Sequence, residues 1–344
     1  MVLPAVATFA TLAAAPASKV TLPPAFEAYV DATVRLSGAE RQLLAQGLPV
    51  AKLIEADPTR EVAVFGAVWI AAPVDRYIRA VKDVEQLERG SSVVTTKRIS
   101  DPPKLDDFAT FDLPKQDVDA LRLCRTNYCA VKLSDEALEQ IQREVDWTKP
   151  TAHASVNAII RQMALDYVNA YREGGNAGLA IYRDHARPTF VAQEFESMVG
   201  RMPQFAVNLT DLRRYLLEYP HYTIPGATDF FYWQTAVFGL KPTTRINHVV
   251  ITQGAGGAVV ASKQIYATHY FWTALELRVL IVDPARGNGF WYVNVSRSRS
   301  DGLSGMLGRL VGTKVRYDVQ TGMDNVLRLT KARLEHQTEP HLPD

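Results

Sequence analysis

The stretch DGLSGMLGRLVGTKVRYDVQTGMDNVLRLTKARLE, residues 301–335, decides the fold class when read with the strands before it. It holds no proline. Apolar residues recur at Leu303, Leu307, Val311, Val315, Val319, Met323, Val326 and Leu334, mostly four apart. That spacing predicts one long amphipathic helix, spanning on the order of 50 Å at about 1.5 Å per residue. Asp301 is placed to cap its start. Lys331 and Arg333 suit the negative end of its dipole. Gly305, Gly308, Gly312 and Gly322 each cost about 1 kcal/mol against alanine in a helix. Two readings stand: the glycines admit a sheet or a ligand close to the backbone, or the helix breaks near Gly312 into two.

Strands precede it. Residues 230–238 are rich in aromatics and end at Gly239, and the β-branched run 244–252 ends at Gly254-Ala255-Gly256-Gly257, a turn signal. Residues 259–282 lack glycine and proline and are too long for one ordinary strand, so they predict one long bent strand or two. In residues 290–299 alternation puts Trp291, Val293 and Val295 on one face and Tyr292, Asn294 and Ser296 on the other. Short turns between successive strands imply an antiparallel sheet.

Further back, residues 26–55 read as a helix pair, 61–72 as a strand, 74–87 as an amphipathic helix opened by Pro73, and 92–99 as a strand. Residues 105–121 read as loop with a short helix, and 134–219 as a predominantly helical block opened by the N-cap Ser134. Its strongest helix, 155–172, ends at Gly174-Gly175. The expected fold class is α+β: a curved antiparallel sheet gripping a long C-terminal helix, with a helical insertion. The expected division is a signal-like segment 1–18, N-terminal helices 19–57, an α+β domain 58–335 carrying the insertion at about 134–219, and a tail 336–344.

The chain has 344 residues, 47% hydrophobic and 22% charged, with a net charge of +1. That gives no field favouring nucleic acid. Residues 1–18 are apolar and end in a small-x-small pattern, Ala15-Pro16-Ala17, like the end of a secretory signal, though without a basic start. The expected location is therefore periplasmic or secreted. Cys124 and Cys129, the only cysteines, are then expected to form a short-loop disulfide, with a reduced pair as the alternative.

The order of strand 61–72, helix 74–87, further strands and a final long helix, with the phrase Gly66-Ala67-Val68-Trp69-Ile70-Ala71-Ala72-Pro73, resembles the START-like or helix-grip superfamily. The resemblance covers residues 61–99 and 228–335 and implies an apolar pocket between a curved sheet and the last helix. That superfamily includes lipid-transfer domains and polyketide cyclases and has no universal catalytic residues, so none are carried over.

The leading expectation is binding or transport of an apolar or amphipathic, lipid-like small molecule, with membrane-surface contact compatible and no nucleic-acid partner. Tyr232, Trp233, Tyr266, His269 and Tyr270 are the candidate wall residues, His248 lies on a neighbouring strand, and Arg297 and Arg299 stand near the pocket mouth. The second is a cyclase- or hydrolase-type enzyme with His269 as general acid/base, which requires His269 in a cavity beside a tyrosine or carboxylate. The third is an envelope interaction module that docks through the helical block. Each candidate has a plainer alternative: His269 and His248 as satisfied core residues, the arginines as solvated or paired charges, and the aromatics as ordinary core. Asp184-His185 and Glu194/Glu196 lack a matching second set, so no metal and no cofactor are expected. Asn208-Leu209-Thr210 and Asn294-Val295-Ser296 match the short glycosylation pattern.

Overall fold

All ten residues of strand β2 (Glu61–Ile70) are buried. A strand shows that only when both faces of its sheet are covered. The computed structural model describes residues 22–90, 92–202, 209–238, 241–303 and 305–335. The signal-like segment, the tail and Asn208 lie outside the described residues.

Numbered in chain order, the main sheet runs in space as β1 (Val50–Leu53), β2, β10 (Phe290–Ser300), β9 (Phe271–Val282), β8 (Gly257–Ala267), β7 (Lys241–Gly254), β6 (Thr228–Phe238) and β3 (Val93–Ile99). Every neighbouring pair is antiparallel, and the eight strands form an open sheet. A small ladder of β4 (Ile181–Tyr182) and β5 (Thr189–Phe190) stands apart. Strands β6 to β10 follow one another through short turns. The step from β3 to its neighbour β6 takes the whole helical block, which packs on one side of the sheet.

On that side lie α1 (Pro24–Tyr29), a π-turn (Val30–Val34), α2 (Gly38–Ala45), α5 (Lys115–Leu121), α6 (Asp135–Glu144), α7 (Ala152–Gly174), α8 (Val191–Val199) and α9 (Thr210–Glu218). Ser37 and Glu40 close a capping box at α2, and Ser134 Oγ accepts from the Ala137 N–H at α6. Trp291 of β10 is fully buried here, 5.8 Å from the Phe26 ring and 5.4 Å, edge-on, from Trp69. The other side of the sheet carries α3 (Val74–Lys82), α4 (Val84–Leu87) and α10 (Gly305–Leu334).

Helix α10 is one unbroken element through Gly312. It lies over β1 and β2 at one edge of the sheet: Gln320 Nε2 donates to the Ala51 carbonyl (2.9 Å) and Lys331 Nζ to the Trp69 carbonyl (2.8 Å). Its buried contacts come from Met323, Leu327, Ala332 and Leu334, while Val311 and Val326 are exposed. A spacing of four advances about 400° per step, so a stripe spaced by four drifts around a long helix and cannot stay on one surface. The close approach of helix to sheet is made by a glycine of the strand. A Cβ built on Gly66 would stand 2.6 Å from Met323 Sδ, whereas one on Gly322 would meet nothing within 4 Å.

Several expectations need correction. The helix starts at Gly305, so Asp301 is not its cap; the Asp301 carboxylate accepts from Trp272 Nε1 and Lys132 Nζ instead. Of the two readings of residues 259–282, the two-strand one holds and needs no correction: the strands are separated at Thr268–Tyr270, where Tyr270 adopts φ 57°. The pair of helices expected over residues 26–55 gives way to strand β1 at Val50. The helix expected over 74–87 breaks at Asp83 into α3 and α4. With a large antiparallel sheet, two short helices after β2 and a long C-terminal helix, the α+β architecture is compatible with a helix-grip fold.

Candidate ligand-binding site

Successive residues of a strand face opposite ways, so one parity of each strand forms a floor on the side of the sheet that carries α3, α4 and, over β1 and β2, α10. On that floor Asn294 of β10 stands opposite Arg278 of β9, Ser296 opposite Glu276, Glu276 opposite Ser262 of β8, and Gln264 opposite Asn247 of β7. Gln234 of β6 continues the row beside Arg245. Polar residues alternating along antiparallel strands ordinarily make a solvent face. Here Asn247, Gln264, Gln234 and Asn294 are all buried.

The charged centre is Glu276 with Arg278. Arg278 Nη2 bonds Glu276 Oε2 and lies 3.5 Å from Glu88 Oε1, and Asn294 Nδ2 donates to Glu276 Oε1 at 2.7 Å. Burial pushes the Glu276 carboxyl up, but the Arg278 guanidinium and the Asn294 bond outweigh it and hold it below the ordinary value. Gln234 Nε2 reaches Glu88 Oε2 (3.2 Å) and Thr96 Oγ1 (3.2 Å), and Arg245 Nη2 donates to Gln234 Oε1 (2.7 Å). Two carboxylates thus face two guanidiniums, and the floor is polar without a net charge. Tyr77 of α3 and Tyr292 of β10 touch hydroxyl to hydroxyl at 3.3 Å above it, and Val64, Val260, Ile251 and Tyr232 give it an apolar border.

Two features set this surface apart from a filled apolar core. Glu276 lies deep in the fold, yet 27% of its side-chain surface stays accessible. Asn247 Nδ2, Gln264 Nε2 and Oε1, Arg278 Nε and Asn294 Oδ1 are buried without a hydrogen-bonding protein partner. They come one residue from each of four adjacent strands, β7 to β10. A buried polar group left unpaired costs about 1–3 kcal/mol.

The structure does not bring the expected site residues together. Of them only Tyr232 lies on the polar floor's side of the sheet. Trp233, its neighbour in sequence, faces the helical block, fully buried, with Nε1 donating to the Asp107 carbonyl (2.9 Å) and its ring 5.1 Å from Phe111. Tyr266 is on that same side, its hydroxyl donating to the Lys132 carbonyl at 2.6 Å. His248 is there too, among Tyr171, Tyr215, Tyr219 and Phe231. Arg297 and Arg299, expected at a pocket mouth, are buried on Glu61, which carries both guanidiniums; Arg299 also reaches Glu194 at 2.7 Å. His269 and Tyr270 fall in the turn between β8 and β9. His269 is buried with Nε2 2.8 Å from Asp117 Oδ2, and Lys241 Nζ holds the other oxygen at 3.0 Å. The carboxylate partner that acid–base chemistry needs is therefore present, away from the polar floor. The residues that sequence reading misses are Asn247, Gln264, Glu276, Arg278 and Asn294; their signal is a shared parity across strands 247–294, which alone reads as a wet surface. Asn294 is buried, so its glycosylation pattern is inaccessible in the folded chain.

Asp184, His185 and Asp301 bring ligand atoms within 4.8 Å of one another. Lys132 Nζ already stands between the two carboxylates, 2.6 Å from Asp184 Oδ2, so a cation's place is taken by an ammonium. Cys124 and Cys129 form a disulfide with Cα atoms 4.5 Å apart, which is compatible with an oxidising compartment. Among the described residues no helix is long and apolar enough to cross a membrane. Compared with known proteins, the chain matches no protein-family model and no curated protein.

Proposed function

We propose that this chain is a START-like binder of an amphipathic small molecule, held in the hollow between the sheet and helices α3, α4 and α10. The polar end of the ligand lies on Asn247, Gln264, Arg278 and Asn294, and its apolar part runs along Tyr232, Val260, Ile251 and Val64. The observation that carries this reading is the row of unpartnered polar atoms on four adjacent strands. A purely apolar ligand would leave those atoms unpaired, so an amphipathic one is favoured over a plain hydrocarbon chain. Balanced charge on the floor favours a neutral or zwitterionic polar end over a strongly charged one. Native mass spectrometry of the purified chain, followed by solvent extraction, tests it. A discrete small molecule with both polar and apolar parts is expected to accompany the protein or to bind on addition of extract. If no lipid or other amphipathic molecule binds under any loading condition, the proposal fails.

A further inference from the structure

A cavity of about 330 Å³ opens at the other edge of the sheet, where β3 stops at Ile99 opposite Phe231 and leaves the start of β6 paired only with β7. Asp229 stands at its floor with 38% of its side-chain surface accessible. Its Oδ2 accepts from the Tyr215 hydroxyl and, at 3.0 Å, from His248 Nε2. A carboxylate only accepts, so Nε2 carries the proton. Nδ1 of His248 then accepts from the Tyr171 hydroxyl (3.3 Å), whose oxygen accepts from Lys263 Nζ (3.0 Å). Every member of this chain is thereby used in one direction, and His248 is neutral. Its burial, between the Phe231 ring at 4.4 Å and the Tyr219 ring at 4.5 Å, works the same way: burial holds its pKa below the ordinary value despite Asp229.

The two groups bonded to Asp229 are thus uncharged, and its negative charge faces the cleft. The arginines of the lining have partners of their own: Arg172 pairs with Asp101 and bonds the Tyr219 side chain, its charge acting on Asp229 as well, while Arg98 donates to the Lys82 carbonyl (2.7 Å) and lies 4.2 Å over the Phe230 ring. Asp107 is taken by Ser100 and the Lys104 N–H. Carboxylates outnumber guanidiniums in the lining three to two. A carboxylate flanked by aromatic rings is the combination that recognises an organic cation.

We propose that this cleft binds a small organic ammonium group, primary or N-methylated, with Asp229 as its counter-charge and the rings of Tyr219 and Phe231 beside it. The ammonium belongs either to a free amine or to a lipid headgroup. The site is separate from the hollow and does not depend on the function proposed for it. Calorimetric titration of the full chain with choline chloride, at constant ionic strength, tests it. Saturable binding is expected at about 10 mM or tighter. Asp229→Asn is expected to weaken it about tenfold, and Arg172→Gln, which frees Asp101, to strengthen it. Co-sedimentation with phosphatidylcholine vesicles identifies a headgroup as the source; binding of free choline alone identifies a soluble amine. Absence of binding in both formats overturns the proposal. So does choline affinity unchanged in Asp229→Asn, or, if that variant does not fold, a loss of choline affinity in Arg172→Gln, which would mark the cleft as an anion site.

Discussion

Gly66 of β2 lies directly under Met323 of α10, so close that a Cβ at Gly66 would stand 2.6 Å from the Met323 sulfur. The seating of the C-terminal helix on the sheet rests on that missing methyl. Gly66→Ala is expected to destabilise the chain by about 1–3 kcal/mol through overpacking. Methionine is flexible, and pairing the change with Met323→Ala should return part of the loss. Urea unfolding of the two single variants and the double gives the coupling. Additive losses would mean that the helix does not press on Gly66.

Glu61 is fully buried and holds both Arg297 and Arg299. Glu61→Gln would leave two buried guanidiniums short of their carboxylate. The expected loss is about 3–5 kcal/mol, since breaking a buried pair strands the surviving charge. Chemical denaturation measures it. A change under 1 kcal/mol would show the arginines relaxing to solvent or to Glu194.

Lys263 is buried, and burial holds its pKa well below the ordinary 10.5. The unfolded chain therefore binds a proton that the folded chain lacks, between the lowered value and about 10.5. Where the unfolded state binds more protons, stability rises with pH, by at most about 1.4 kcal/mol per pH unit for one group. Stability is thus expected to climb with pH on the approach to about pH 10. Above about pH 10 the tyrosines whose pKa values burial raises, Tyr171 and Tyr292 among them, reverse the trend, because they ionise first in the unfolded chain. In Lys263→Met that climb should vanish, as read by denaturation at several pH values. A slope that survives the substitution would assign it to another group.

The disulfide closes a loop of sequence separation 5. Loop-closure entropy for so short a ring is about 2 kcal/mol. Reduction is expected to lower the unfolding temperature by a few degrees and to speed amide exchange around Asn127 and Cys129, whose N–H groups bond the carbonyls of Arg183 and Asp184. Loss of the whole fold on reduction would give the bridge a larger part than its loop length allows.

The element order is legible in the chain because the periods are strong: β-branched and aromatic runs end at glycine or proline, and the last 30-residue helix holds no proline. The polar floor is less legible, and Tyr232 and Trp233 show why. Adjacent residues of a strand cannot line one hollow, and with both faces of the sheet covered, apolar residues occur on either parity. Hydrophobicity therefore gives no indication of which face carries the polar floor. The floor residues 262, 264, 276, 278 and 294 share a parity that reads as solvent-facing, and only the placement of α3, α4 and α10 turns that face inward. Arg297 and Arg299 illustrate the same limit, since their partner Glu61 lies more than 230 residues away.

Gln264 has both its amide nitrogen and its amide oxygen buried without a protein partner, and replacing it probes the account most directly. Urea unfolding of the wild type and Gln264→Leu, both refolded free of small molecules, is read beside ligand occupancy by native mass spectrometry. If these amide atoms exist to meet a ligand, the leucine variant should be more stable by about 1–3 kcal/mol, because the unpaired groups are gone, and its occupancy should fall. A variant that is less stable than the wild type and holds ligand equally well would contradict the claim that the hollow is a binding site.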